Sequence, residues 1–132
     1  MKCSYEILEN EYLWCGSTFF GDKNPFNKDS EFHQNMYLRS SNQTMPLILS
    51  NKGRYFWSDR PIIIDIKDGI LTIEGENVKE YKVGSTLKDA YAHAMKNHFP
   101  FDGRKLPDMF FETAQYNTWM HFNYFPTQEK IF

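Results

Sequence analysis

Side chains that could bind a sugar are concentrated in one short stretch of the sequence. The amide groups of Gln115 and Asn117 can form hydrogen bonds with sugar hydroxyls, and the rings of Tyr116 and Trp119 can stack on a pyranose. An alternative stays open, in which the two rings pack in a core and Asn117 satisfies backbone groups. Two further amides, Asn42 and Gln43, could reach the same ligand or make simple turn contacts.

The residue types that perform catalysis show no catalytic spacing. Most candidate carboxylates fall on predicted antiparallel strands and turns, where acidic side chains usually form a solvated face; they are Asp65, Asp68, Glu74, Glu76 and Glu80. No nucleophile elbow such as Gly-x-Ser-x-Gly accompanies the four histidines. Cys3 and Cys15 lack the spacing of metal ligands. We therefore predict no catalytic residue, no metal site and no cofactor in this chain, and free thiols with a disulfide as the alternative.

Composition limits the class of protein. Of the 132 residues, 41% are hydrophobic and 24% are charged, which is typical of a single folded domain. The net charge is −2 and the basic residues form no run, so nucleic-acid binding is not predicted. No apolar run approaches the roughly 20 residues of a membrane helix, and Met1 to Asn10 lack the segments of a signal peptide. We expect a soluble protein with no membrane partner; its compartment stays open, with the cytoplasm favoured.

Closely spaced antiparallel strands are predicted in the middle of the chain. Gly53 and the pair Asp68-Gly69 are typical of tight hairpin turns, because their backbones reach left-handed conformations at low cost. Ile62, Ile64 and Ile66 alternate with other residues and therefore share one buried face. Strands are predicted at residues 45–50, 54–57, 61–67, 70–74 and 78–83. This pattern predicts a mainly all-β fold, an antiparallel β-sandwich.

One helix is predicted near residues 86–98, after the strands. Thr86 and Asp89 have the spacing of a capping box, and Pro100 ends the helix. An apolar stripe at helical spacing comprises Leu87, Ala90, Tyr91, Ala94, Met95 and His98. His98 is therefore expected to be a packed structural residue rather than a base.

The chain from Phe101 onward has a different, strongly aromatic pattern. A strand is predicted near residues 115–119, and Pro126 to Glu129 resembles a helix start. Only five residues follow Thr127, whereas an isolated helix needs roughly 12 to 15 residues. We therefore expect a piece of a longer protein whose exposed aromatic surface causes homo-oligomerisation, or a disordered tail after about residue 110.

Three segments in the same order resemble glycoside hydrolase family 31. Within residues 42–58, Pro46, Ser50 and Gly53 occupy the positions of a Pro-x-x-x-Ser-x-x-Gly hairpin that precedes an aromatic strand. Residues 115–119 are similar to the first barrel strand of a bacterial subgroup, and residues 14–16 are similar to an early Trp-x-Gly of that subgroup. Two positions depart from this pattern, since Cys15 replaces an expected Gly and His121 replaces an acidic residue.

The resemblance implies a galactose-mutarotase-like sandwich that leads into a TIM barrel. Residues 1–99 would form the sandwich with its helix, and residues 100–132 the linker and first strand of a truncated (α/β)₈ barrel. Family 31 enzymes hydrolyse α-linked glucosides or xylosides with retention, using two Asp residues on later barrel strands, about 5 Å apart. The chain would then be an N-terminal accessory domain, inactive alone.

The implied partners are carbohydrate, in the context of the full enzyme, and the missing catalytic barrel. The implied substrate contacts are Gln115, Tyr116, Asn117, Trp119, Asn42 and Gln43. Two alternatives stay open. A self-standing carbohydrate-binding β-sandwich would need a face of exposed rings, and an unrelated interaction domain would bind no sugar at all.

Overall fold

The computed structural model describes residues 1–38, 43–114, 122–125 and 127–131. The chain divides into two compact units, Met1–Pro100 and Phe101–Phe132. The first unit contains two four-stranded antiparallel sheets, so the predicted mainly β, sandwich-like fold is confirmed. None of the helices in the described residues is both long enough and apolar enough to cross a membrane.

Each sheet joins strands that are distant in sequence. The first sheet has the order β1-β7-β6-β3, with β1 at Lys2–Glu6, β3 at Phe32–Asn35, β6 at Ile62–Lys67 and β7 at Ile70–Gly75. The second sheet has the order β2-β4-β5-β8, with β2 at Leu13–Trp14, β4 at Leu47–Ser50, β5 at Arg54–Trp57 and β8 at Lys79–Lys82. A 3₁₀-helix at Thr18–Lys23 lies between β2 and β3.

The predicted hairpins form because their turn residues reach left-handed backbone conformations. Asp68 (φ 51°) and Gly69 (φ 74°) connect β6 to β7. Gly53 (φ 72°) connects β4 to β5, and a Cβ atom there would lie 2.1 Å from the carbonyl carbon of Gly84. The carbonyl oxygen of Gly53 also accepts a hydrogen bond from Val83 N at 2.9 Å. Only glycine therefore fits at position 53, both conformationally and sterically.

The core lies between the two sheets. The alternating side chains Ile62, Ile64 and Ile66 are buried as predicted, and they belong to one cluster with Ile48 and Phe56 of the second sheet. A fully buried side chain of this kind contributes about 1.5–3 kcal/mol.

Helix α1, Leu87–His98, begins with the predicted capping box. Thr86 Oγ1 accepts a hydrogen bond from Asp89 N, and the Asp89 carboxylate accepts hydrogen bonds from the backbone N–H groups of Ser85 and Thr86. The Thr86 hydroxyl is the first cause of the lowered pKa of Asp89, followed by those backbone groups. The cap therefore starts the helix at the predicted residue.

Helix α1 covers the outer face of the second sheet. Ala90 and Ala94 are fully buried against Leu47 and Tyr55, and their small size allows close approach to the strands. Tyr91 differs from the prediction, because 53% of its surface is exposed. The buried stripe is thus narrower than the sequence pattern indicates.

The Tyr55 hydroxyl lies between two histidines of the helix. It is 3.0 Å from His93 Nδ1 and 3.1 Å from His98 Nε2. A hydroxyl donates only one hydrogen, so at least one of these two nitrogens must carry a hydrogen and donate it to the Tyr55 oxygen. Burial, and after it the neighbouring His93, lowers the pKa of His98. His98 is therefore a neutral packing residue at pH 7, as its position on the stripe predicts.

The second unit contains two short helices among its described residues, α2 at Met109–Glu112 and α3 at Gln128–Ile131. The helix α3 lies where Pro126 to Glu129 predicts a helix start, whereas the strand predicted near residues 115–119 lies outside the described residues. Every described side chain of this unit is exposed except Phe122, which is half-buried. The assignment of this unit to a catalytic barrel stays a prediction.

A buried ion pair joins three parts of the first unit. Glu11 and Arg54 are 1% and 9% exposed, and Arg54 donates to both carboxylate oxygens of Glu11, at 2.7 Å from Nε and 2.6 Å from Nη2. Arg54 also donates to the Glu6 carbonyl at 2.6 Å and to Glu80 at 3.2 Å, while Ser50 Oγ donates to Glu11. The β1–β2 connection, the β4–β5 hairpin and β8 are thereby connected.

The pair is electrostatically satisfied despite its burial. Burial by itself raises the pKa of Glu11, but hydrogen bonds from Arg54, Ser50 and Leu8 N outweigh it and lower the pKa overall. The hydrogen bond from Glu11 raises the pKa of Arg54. Both groups are therefore charged at neutral pH, and removal of one would leave the other charge buried.

Glu11→Gln is expected to lower the free energy of unfolding by about 3 kcal/mol at pH 7, because it leaves Arg54 without its main partner. Because the folded-state pKa of Glu11 is lowered, its contribution is complete above the unfolded value of about 4.5 and is lost as pH falls through the folded value. Urea unfolding at pH 7 and at decreasing pH measures both effects. Glu9→Gln, which changes an exposed carboxylate paired with Lys28, is the control; equal effects of the two substitutions would contradict the assignment.

Candidate functional site

Five of the six predicted substrate contacts lie outside the described residues; they are Gln115, Tyr116, Asn117, Trp119 and Asn42. The sixth, Gln43, is exposed and has a left-handed backbone conformation with φ 50°. Its carbonyl oxygen accepts a hydrogen bond from Thr18 N at 3.3 Å. The segment that enters β4 is therefore held against the segment that follows β2.

A groove of about 370 Å³ lies beside this contact. Trp14 and Leu49, which form its aromatic and aliphatic walls, are paired neighbours on β2 and β4. Other lining residues come from the turn after β2 and from the approach to β4; they are Cys15, Gly16, Ser17, Thr18, Gly21, Asn24, Met45 and Leu47. The groove is mostly apolar, and its volume suits a small organic ligand.

The turn that forms one side of the groove is held by Gly16 and Asn24. Gly16 has φ 89°, and a Cβ atom there would lie 2.9 Å from Gln34 Oε1, so a larger residue would strain the backbone and displace the Gln34 side chain. Asn24 accepts a hydrogen bond from Cys15 N and donates to the carbonyls of Cys15 and Phe20, at 2.9, 3.1 and 3.1 Å. One side chain thus satisfies three backbone groups and fixes the turn.

Cys15 lines the groove with a thiol that is protonated at neutral pH. Burial raises the pKa of its thiol to about 12, so the thiolate is scarce at neutral pH. Cys3 and Cys15 are both free, in agreement with the predicted free thiols.

Ser17 differs from the other polar residues of the groove because its hydroxyl is buried without a hydrogen-bond partner. Its side chain is 2% exposed, and within the described residues its hydroxyl is the one buried side-chain polar atom without a hydrogen-bond partner. Its backbone N–H donates to Gln34 Oε1 at 3.0 Å, which holds the residue in place. A buried unpaired hydroxyl costs about 1–3 kcal/mol.

The groove can bind but shows no catalytic arrangement. Its polar side-chain groups are the Trp14 indole N–H, the Cys15 thiol, the hydroxyls of Ser17 and Thr18, and the Asn24 amide, whose atoms are already bonded. No general acid–base pair is therefore present among its described residues. The described residues also contain no cluster of His, Cys, Asp or Glu able to hold a metal ion. Two of the earlier carboxylate candidates have partners elsewhere: Asp65 lies 2.6 Å from His33 Nδ1, and Glu80 bonds Arg54.

Sequence reasoning did not single out Ser17. Residues 14–16 and residues 43–50 both belong to segments that resemble family 31, but no local sequence pattern indicates that the two segments are in contact. The lack of a partner for the Ser17 hydroxyl is a property of the folded unit. No signal in the sequence could have found it.

Comparison with known proteins identifies no family. The chain matches no protein-family model, and no curated protein matches it significantly.

Ser17→Ala is expected to raise the free energy of unfolding by about 1 kcal/mol, because it removes a buried polar group that has no partner. Ser58→Ala is the matched control, since the Ser58 hydroxyl is equally buried but donates to the Glu76 carbonyl at 2.8 Å and accepts from Arg60 N at 3.0 Å. The free energy of unfolding of Ser58→Ala should fall by about 1 kcal/mol. Urea unfolding measures both variants; a similar loss in Ser17→Ala would show that its hydroxyl is satisfied in solution.

Proposed function

We propose that this chain is the non-catalytic β-sandwich of a glycoside hydrolase that resembles family 31. The parent enzyme would hydrolyse α-linked glucosides or xylosides with retention, and the sandwich would contribute the groove beside Gln43 to the binding of carbohydrate. The second unit would begin the catalytic barrel.

The meeting of two separate sequence segments at one groove carries this proposal. Residues 14–16 and residues 42–58 bear the resemblance independently of each other, and Trp14 pairs with Leu49 across β2 and β4. The carbonyl of Gln43 accepts its hydrogen bond from Thr18, two residues after Gly16. The two motifs therefore line one groove, which supports a common role in binding.

The exposed apolar surface of the second unit supports a role within a larger protein. Phe101, Phe111, Tyr124 and Phe125 are each at least 73% exposed. Several large exposed apolar side chains within one short unit are typical of a region that other protein covers.

The DNA sequence that follows the codon for Phe132 tests the proposal. We expect an in-frame (β/α)₈ barrel with two Asp residues at the ends of later strands. The continued protein should hydrolyse 4-nitrophenyl α-glucoside or α-xyloside, and the 132-residue chain should not. Turnover by the 132-residue chain alone, or a continuation without a barrel, would overturn the proposal. A complete reading frame ending at Phe132 would favour the self-standing binding module.

We expect the chain to self-associate through the aromatic side chains of its second unit. Light scattering at increasing concentration should give a mass above that of the monomer, and the combined substitution Phe101→Ser, Phe111→Ser and Phe125→Ser should restore the monomer. Phe19→Ser is the control, because Phe19 is as exposed as Phe111 (76% and 75%) but lies in the first unit. A strict monomer at all concentrations would contradict the expectation.

A further inference from the structure

A second depression, separate from the groove, lies where the C-terminal end of α1 meets β5 and β8. Its volume is about 330 Å³, and it is lined by Trp57, Asp59, Asn77, Lys79, Tyr81 and His98. This volume lies within the range of roughly 300–1,000 Å³ that is usual for small-molecule sites. We call it the Trp57 recess.

The aromatic wall of the recess is held rigidly. The Trp57 indole stacks on the His98 imidazole, with centroids 4.5 Å apart and planes at 18°, and meets the edge of Phe99 at 5.2 Å. Tyr81 stacks on Tyr55 at 4.6 Å with an angle of 7°. Because these rings are already fixed by their neighbours, a ligand that contacts them loses little affinity to side-chain ordering.

The polar rim of the recess carries three different hydrogen-bonding groups. Asp59 supplies a carboxylate, Asn77 an amide and Lys79 an ammonium group. Asn77 Nδ2 donates a long hydrogen bond of 3.4 Å to Asp59 Oδ1. No residue in the described part of the chain forms a salt bridge with Asp59 or Lys79, so both groups keep capacity for a ligand.

This combination favours a neutral polyhydroxylated ring. The rings of Trp57 and Tyr81 offer an apolar surface to the C–H face of a sugar, while the carboxylate accepts from hydroxyls and the amide and ammonium groups donate to them. The opposite charges of Asp59 and Lys79 sum to zero, so the rim has no net charge that would favour an anionic or a cationic ligand. We propose that the Trp57 recess binds one pyranose ring of a neutral oligosaccharide.

This proposal goes beyond the function proposed above and does not rest on it. A sugar contact in the Trp57 recess would serve an accessory domain and a self-standing module equally, because it needs only residues of the first unit. The nature of the DNA downstream of Phe132 therefore leaves it unaffected.

Titration of the ¹⁵N-labelled full chain with maltose and with xylobiose tests the proposal. We expect saturable binding at millimolar sugar, with shifts at the Trp57 indole N–H and at the amides of residues 77–81. Asp59→Ala should weaken the binding at least about tenfold, because hydrogen bonds to a charged acceptor are stronger than those between neutral groups. Asp22→Ala is the matched control, since Asp22 is also exposed but lies outside the recess, and it should bind as the unmodified chain does.

Tyr81→Leu provides a second, independent test of the aromatic wall. It should also weaken sugar binding, provided that its thermal unfolding shows an intact fold; if it fails to fold, Asp59→Ala alone decides. The proposal is overturned by the absence of saturable shifts, by shifts centred on the groove residues 14–18, or by equal binding in Asp59→Ala and Asp22→Ala. Binding of glycine, a zwitterion, in place of the sugars would also overturn it.

Discussion

The contact between the Glu11 carboxylate and the Arg54 guanidinium connects the parts of the first unit that carry both candidate sites. These residues are 43 positions apart in the chain, and their side chains are almost completely buried. A buried charge is tolerated only when it is paired and hydrogen-bonded. The requirement to satisfy both charges brings the β1–β2 connection against the β4–β5 hairpin, with Ser50 and Glu80 completing the arrangement.

Both depressions depend on the sheet that this pair helps to anchor. The groove lies at the β2–β4 edge, and the Trp57 recess lies beside β5 and β8, where α1 packs on the same outer face. Because α1 presents Ala90 and Ala94 to the strands, it approaches closely without covering the whole sheet. The large rings of Trp14 and Trp57 remain only partly buried, so each can contact a ligand at a different place on the second sheet.

Some elements were hidden from sequence reasoning for identifiable reasons. Strand β3 was not predicted, because its four residues place the polar Gln34 inward, where its side chain accepts a hydrogen bond from Ser17 N. The recess was missed for a related reason. Asp59 and Asn77 each have the character of ordinary turn residues, and nothing in a linear sequence shows that they lie together beside an aromatic wall.

The amino-acid sequence by itself determined the local features: the inward alternation of Ile62, Ile64 and Ile66, the left-handed turns at Gly53 and Asp68-Gly69, and the Thr86–Asp89 cap. Each of these features depends on residues within a few positions of one another, so backbone sterics and side-chain spacing are enough to predict it. Only the tertiary structure decided which strands pair, since β1 bonds to β7 and β3 to β6 across long stretches of chain. It also isolated the Ser17 hydroxyl, because burial and hydrogen-bond satisfaction are properties of the whole folded unit.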